Sequence, residues 1–280
     1  MAYLEGTNLV AAYGVVPILH ECSVEVEKGE LAVIVGPNGA GKSTVMRVLL
    51  GMLEATAGEV KLDGQDISML STQERISLGL AFVPQNKNVF PSMTVEENLE
   101  MGGFLRLDDI NKTIEEVYSL FPILYEKRKQ LAEELSGGQR QQVAFGRAMM
   151  TQPSVMLLDE PTAGVSPIVM DEIFSNILDV RNAGMAVLMV EQNAQQALNI
   201  ADKGYVLVSG RNEHTGTGHE LISDPEVRKN AFKTEKIVWE NHKDWFQERL
   251  NDELTMMLLA ESELGPIGQV RFERKCNHVK

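Results

Sequence analysis

The run Gly36-Pro37-Asn38-Gly39-Ala40-Gly41-Lys42-Ser43-Thr44 sets three glycines, a lysine and two hydroxyls at the spacing G-x-x-x-x-G-K-[ST]. Glycines let successive backbone N–H groups turn inward around an anion, and a helix opening behind them adds a favourable dipole. Lys42 would then reach the β- and γ-phosphates of a nucleotide, and the Ser43 hydroxyl would ligate Mg2+. Without a strand before it and a helix after it, the run would be only a glycine-rich turn.

A second set of residues closes the apolar run Val155-Met156-Leu157-Leu158, which delivers Asp159 and Glu160. A divalent cation beside a triphosphate needs a carboxylate, often acting through water, and hydrolysis needs a group that orients the attacking water. Asp159 suits the first role and Glu160 the second. Alone, the two acids would read equally well as helix caps; a phosphate loop in the same chain favours the catalytic reading. A third polar cluster, Glu191-Gln192-Asn193, follows the apolar run 185–190. Ligands of open α/β sheets bind at the carboxyl ends of strands, so this cluster faces a ligand or, more simply, Asn193 caps a helix from Ala194.

The elements around these residues supply the required context. Leu31-Ala32-Val33-Ile34-Val35 is apolar on both faces and predicts a buried central strand, with a helix from about Lys42 to Leu50 behind the loop. Cys22, Val24 and Val26 alternate with Ser23, Glu25 and Glu27, predicting a half-buried antiparallel strand. The texture turns helical from about residue 88 to 152, and strand and helix patterns then alternate again from Ser154. The fold class predicted is α/β: a parallel-sheet core, an N-terminal antiparallel β region and an inserted helical subdomain. Past Phe232, Phe246, Leu250, Leu254, Met257 and Leu258 recur at helical spacing and predict a helical C-terminal extension over residues 233–280.

Composition narrows the classes. The net charge of −14 over 280 residues argues against broad electrostatic attachment to nucleic acid or anionic lipid. Two cysteines, Cys22 and Cys276, make no disulfide framework and suit a reducing compartment. No secretory signal is apparent at the N-terminus and no stretch of 18 apolar residues occurs, so any membrane passage would be formed by other chains. The five histidines lack metal-ligand spacing, and His214–His219 predicts a turn.

Leu135-Ser136-Gly137-Gly138-Gln139 begins the last helix of the insertion and resembles the signature of ATP-binding cassette ATPases. With the phosphate loop and the Asp159-Glu160 pair in this order, the resemblance covers about residues 1–232. It implies ATP and Mg2+ as ligands. Tyr13 matches the aromatic residue that stacks on adenine, and Gln85 the glutamine that contacts Mg2+ and links the site to the helical lobe. Residues 135–139 would act on the ATP of a second cassette in a head-to-tail dimer. Ser136 would cap its helix while Gly137 and Gly138 leave the N-terminus bare for an anion.

Two positions depart from the family pattern. Ala163-Gly164-Val165-Ser166 replaces a Ser-Ala-Leu-Asp loop and lacks its aspartate, and Gln192 stands where a histidine contacts the γ-phosphate. A glutamine amide can still donate a hydrogen bond there, but it carries no charge. Residues 83–103 and 190–211 look like an ATPase of branched-chain or polar amino-acid importers, a group in which glutamine at this position is usual. That implies a second cassette, the same or different, transmembrane permease subunits and, indirectly, an extracytoplasmic binding protein. The place implied is the cytoplasmic face of the membrane. Val89 and Phe90 either receive a permease helix or pack within the helical lobe. The competing readings are a soluble cassette ATPase of translation or repair, and the ATPase of an exporter.

Overall fold

A computed structural model describes residues 2–104, 106–231, 255–262 and 265–273. The chain divides into two compact units, Met1–Lys233 and Thr234–Lys280.

The first unit opens with β1 (Leu4–Tyr13), β2 (Val16–Val26) and β3 (Leu31–Val35), then the loop into α1 (Lys42–Leu49). β4 (Ala57–Leu62), β5 (Gln65–Asp66), α2 (Thr72–Ser77) and β6 (Leu80–Val83) follow. Four helices come next: α3 (Val95–Gly102), α4 (Asn111–Leu120), α5 (Pro122–Glu126) and α6 (Gly137–Met149). β7 (Val155–Asp159), α7 (Pro167–Asn182), β8 (Ala186–Val190), α8 (Ala194–Ile200) and β9 (Lys203–Val208) restore the alternation. β10 (Arg211–Gly216), α9 (Gly218–Ser223) and α10 (Pro225–Ala231) complete the unit.

Two sheets result, an antiparallel one in the order β2-β1-β4-β5 and a larger one in the order β10-β9-β3-β8-β7-β6. In the larger sheet every pairing is parallel except β10 with β9. All five residues of β3 and of β8 are buried, as a strand covered on both faces requires. Their period of two deals side chains to two cores. Leu31, Val33, Val35, Val187 and Met189 join the α6 and α7 side chains Phe145, Ile173 and Ile177, while Ala32, Ile34, Leu188 and Val190 join α1 and the antiparallel sheet.

Helix starts are specified locally. Ser71/Glu74, Thr94/Glu97, Ser136/Gln139 and Thr217/Glu220 each form a reciprocal capping box, and Pro167 takes the first position of α7. The stretch His214–His219, expected as a turn, instead runs from β10 through Thr217 into α9, because His214 pairs with Val206 of β9. Among the described residues no helix is long and apolar enough to cross a membrane.

In the second unit the described residues are strands where helix was expected. Met257 and Leu258 lie in β11 (Thr255–Ser262), which pairs antiparallel with β12 (Gly265–Glu273) from Thr255↔Glu273 to Ser262↔Gly265. Residues 256–260 form a continuous apolar run, which fits strand and helix equally by periodicity. The deciding factor is the downstream pairing partner β12, which a one-segment period cannot register. Phe246, Leu250 and Leu254 lie outside the described residues.

Candidate functional site

Register brings three turns to one edge of the larger sheet. Ile34 of β3 pairs with Val190 of β8, and Val190 with Asp159 of β7. The loop 36–41, the residues after Asp159 and the residues after Val190 therefore leave the sheet at one level. The Glu160 N–H donates to Val190 O at 2.9 Å and the Glu191 N–H to Ile34 O at 3.1 Å, which extends that level into the turns.

The phosphate loop has the shape its glycines permit. Gly41 caps α1 at φ 100 with no side chain bonded to the helix start, so the first-turn N–H groups stay free of a capping side chain. At Gly36, a Cβ would lie 2.2 Å from Leu207 O, so any other residue would force the loop off β9. Lys42 is buried, and its ammonium donates to Gly36 O at 2.9 Å and Pro37 O at 3.2 Å. Burial pulls its pKa down, opposed by the carboxylates of Glu160, Asp159 and Glu191.

The acids fall beside it. Ser43 Oγ donates to Asp159 Oδ1 at 3.2 Å, closing the loop onto the end of β7. Burial raises the Asp159 pKa, against the Ser43 hydrogen bond and the charges of Arg47 and Lys42. Glu160, at φ 47 in the left-handed region, accepts from Gln85 Nε2 at 3.0 Å. Gln85, just beyond β6, is thus joined to the carboxylate expected to orient water. Gln192 Nε2 donates to Asn38 Oδ1 at 3.0 Å, so this amide reaches the phosphate loop from the β8 side.

Tyr13 is 42% exposed, and its hydroxyl accepts from Arg47 Nη1 at 2.8 Å, a partner the sequence did not suggest. At the signature, Ser136 caps α6 as expected: the Gln139 N–H donates to Ser136 Oγ at 3.3 Å, and Gln139 Oε1 accepts from the Ser136 N–H at 3.2 Å. Gly138 lies against Glu172 of α7, whose Oε2 would be 2.6 Å from an added Cβ, while a Cβ at Gly137 would meet only Val169 Cγ1, at 3.9 Å. The expected Asn193 cap is corrected. Asn193 occupies the N-cap position of α8, but its amide donates to Gln196 and Met170 Sδ instead of capping. Val89 packs on the core, whereas Phe90 is 41% exposed with the Arg147 guanidinium 4.9 Å from its ring centre.

One buried acid had no assigned role. Glu191 is 1% exposed and accepts from Thr162, Gln192 and Asn193. The polar cluster after β8 was the available signal; its partner Thr162 lies 29 positions away.

A phosphate loop behind the central strand, flanked by a carboxylate pair and two amides, defines a nucleotide-hydrolysing α/β domain. Residues 19–163 match the ABC transporter family. The high-affinity branched-chain amino acid transport ATP-binding protein BraG of Pseudomonas aeruginosa is 44% identical over 77% of this chain and 93% of its own. The probable branched-chain amino acid transport ATP-binding protein LivF of Archaeoglobus fulgidus is 38% identical over 81% and 97%. A crystal structure of an ABC transporter cassette in its ADP conformation superposes with a TM-score of 0.75 at 30% identity, covering 82% of this chain and 98% of that one. The chain belongs to the ABC transporter family, as an ATP-binding cassette that hydrolyses ATP to drive transport.

Proposed function

We propose that this cassette powers the import of branched-chain or polar amino acids. The observation that carries the substrate class is the 44% identity to BraG along nearly the whole of that protein. In this reading the cassette works in a homo- or heterodimer on transmembrane permease subunits, peripheral at the cytoplasmic face. An extracytoplasmic binding protein supplies the substrate. Phe90, exposed beside the part-buried Arg147, forms the spot on which a permease helix docks.

Each site residue has a part in that reading. Backbone N–H groups of residues 36–44 cradle the phosphates, Lys42 neutralises them, and Tyr13 stacks on adenine. Ser43 Oγ and Asp159 Oδ1, hard oxygen donors 3.2 Å apart, are chemically suited to hold Mg2+ together with Gln85. The ion, when bound, offsets charge on the phosphate oxygens. Glu160 orients the attacking water, Gln85 fixes that carboxylate, and Gln192 donates to the γ-phosphate. Ser136, Gly137, Gly138 and Gln139 face the nucleotide of the partner cassette.

The test is reconstitution in liposomes with permease subunits and binding protein. ATP-dependent accumulation of labelled leucine or of a polar amino acid is expected. Hydrolysis that no such amino acid stimulates would overturn the substrate assignment.

A further inference from the structure

We propose that Glu191 is a positioning residue whose buried carboxylate fastens the turn carrying Glu160 to the turn carrying Gln192. Each of its oxygens serves one turn. Oε1 accepts from the Thr162 N–H at 3.0 Å and the Thr162 hydroxyl at 2.7 Å. Oε2 accepts from the Gln192 N–H at 2.9 Å and, at 3.4 Å, from the Asn193 N–H. Thr162 is itself 4% exposed and stands two residues beyond Glu160.

The residue type is what the task demands. A carboxylate offers acceptors on both oxygens and no donor, so it can face four N–H and O–H groups at once. A glutamine of the same length would turn an NH2 group on one pair of those donors and release one turn. Burial raises the carboxyl pKa, and the Thr162 hydroxyl is the largest of the opposing pulls, followed by the three N–H groups.

The consequence reaches both ends of the chemistry. Gln192 is held at its backbone by Glu191 and at its amide by Asn38. The segment after Glu160 is held at Thr162, while Gln85 grips the Glu160 side chain. Glu191 thus makes the orienting carboxylate and the phosphate-facing amide parts of one rigid unit, although its side-chain hydrogen bonds go to Thr162, Gln192 and Asn193 and its charge reaches Lys42 of the phosphate loop only through space. Loosening that unit lowers the rate of the chemical step and leaves ground-state nucleotide binding to the phosphate loop.

The proposal rests on the roles given above to Glu160 and Gln192. The experiment therefore runs wild type and Glu160→Gln beside the new variants, in the full-length chain. Hydrolysis lost in Glu160→Gln keeps the site reading whatever Glu191 does. For Glu191→Gln we expect kcat to fall about tenfold or more, equal to about 1.4 kcal/mol at the transition state. KM for ATP and Kd for a non-hydrolysable analogue should change by less than about threefold, because uniform binding is untouched. Thr162→Val removes one donor at nearly constant volume and should lower kcat by a smaller factor, about two- to fivefold, with the same split. It decides the matter if Glu191→Gln does not fold. A folded Glu191→Gln or Thr162→Val protein with wild-type kcat overturns the proposal. So does a loss in which KM and Kd worsen as much as kcat.

Discussion

The side-chain amide of Gln192 and Oδ1 of Asn38 meet at 3.0 Å across 154 positions of sequence, and join the turn after β8 to the phosphate loop. In the proposed function this neutral donor serves the γ-phosphate. Replacing Gln192 with Ala should cost about 1–2 kcal/mol at the transition state, the range for a hydrogen bond to a charged group. Turnover should fall about five- to thirty-fold, with little change in ATP affinity. Gln192→His should retain activity, since imidazole can donate from the same region. Steady-state hydrolysis with the partner cassette present is the measurement, and full activity of Gln192→Ala would remove the residue from the mechanism.

Glu160→Gln should leave nucleotide affinity near wild type while nearly abolishing phosphate release, because the cradle stays intact and the water loses its orienting carboxylate. Lys42→Ala should instead weaken binding itself. Affinity and turnover measured on the same preparations separate the two behaviours.

Alkaline pH should destabilise the fold through buried neutral groups. Burial pushes the Cys22 thiol and the Tyr205 phenol each up to about 12. Both folded values lie above the unfolded ones, so their contribution is complete below about pH 8.5 for the thiol and about pH 10 for the phenol. It is lost as pH rises toward 12, since the unfolded chain ionises first. Denaturation midpoints should fall across that window, and less steeply in Tyr205→Phe. Native Cys22 should resist thiol reagents at pH 8 and react on unfolding. Rapid labelling of Cys22 in the native protein would contradict its burial.

A chain ending at Lys233 should fold cooperatively and bind ATP, because every residue assigned to the site precedes that point and the first compact unit ends there. Calorimetry and nucleotide titration of the shortened chain test it. Insolubility, or loss of a sharp transition, would make the last 47 residues, Thr234–Lys280, part of the core.

What the sequence made legible was local. The loop Gly36–Thr44 lies between β3 and α1 because its glycines, its lysine and the flanking apolar runs are contiguous. Asp159 and Glu160 follow a run long enough to be read as one buried strand, and Ser136 announces its helix within four residues. What stayed hidden depended on distant partners. Glu191 has no meaning without Thr162, nor Tyr13's hydroxyl without Arg47, 34 positions on. Met257 and Leu258 were misread for the same reason: β11 is a strand by virtue of β12, not of its own period.

The four capping boxes differ in one atom type. Glu74, Glu97 and Glu220 close three of them with a carboxylate, and Gln139 closes the signature helix with an amide. An anionic closer also favours the positive end of a helix, by about 0.3–1 kcal/mol. Glutamate at 139 should therefore raise the melting temperature slightly. It would also set a permanent negative charge at the end of α6 that is proposed to meet the partner's γ-phosphate, and like charges repel most where water is excluded. The amide keeps the geometry of the cap and leaves the electrostatic vacancy to the visiting nucleotide. In the proposed dimer, stability and receptivity are thus opposed at a single side chain, and the amide serves the second.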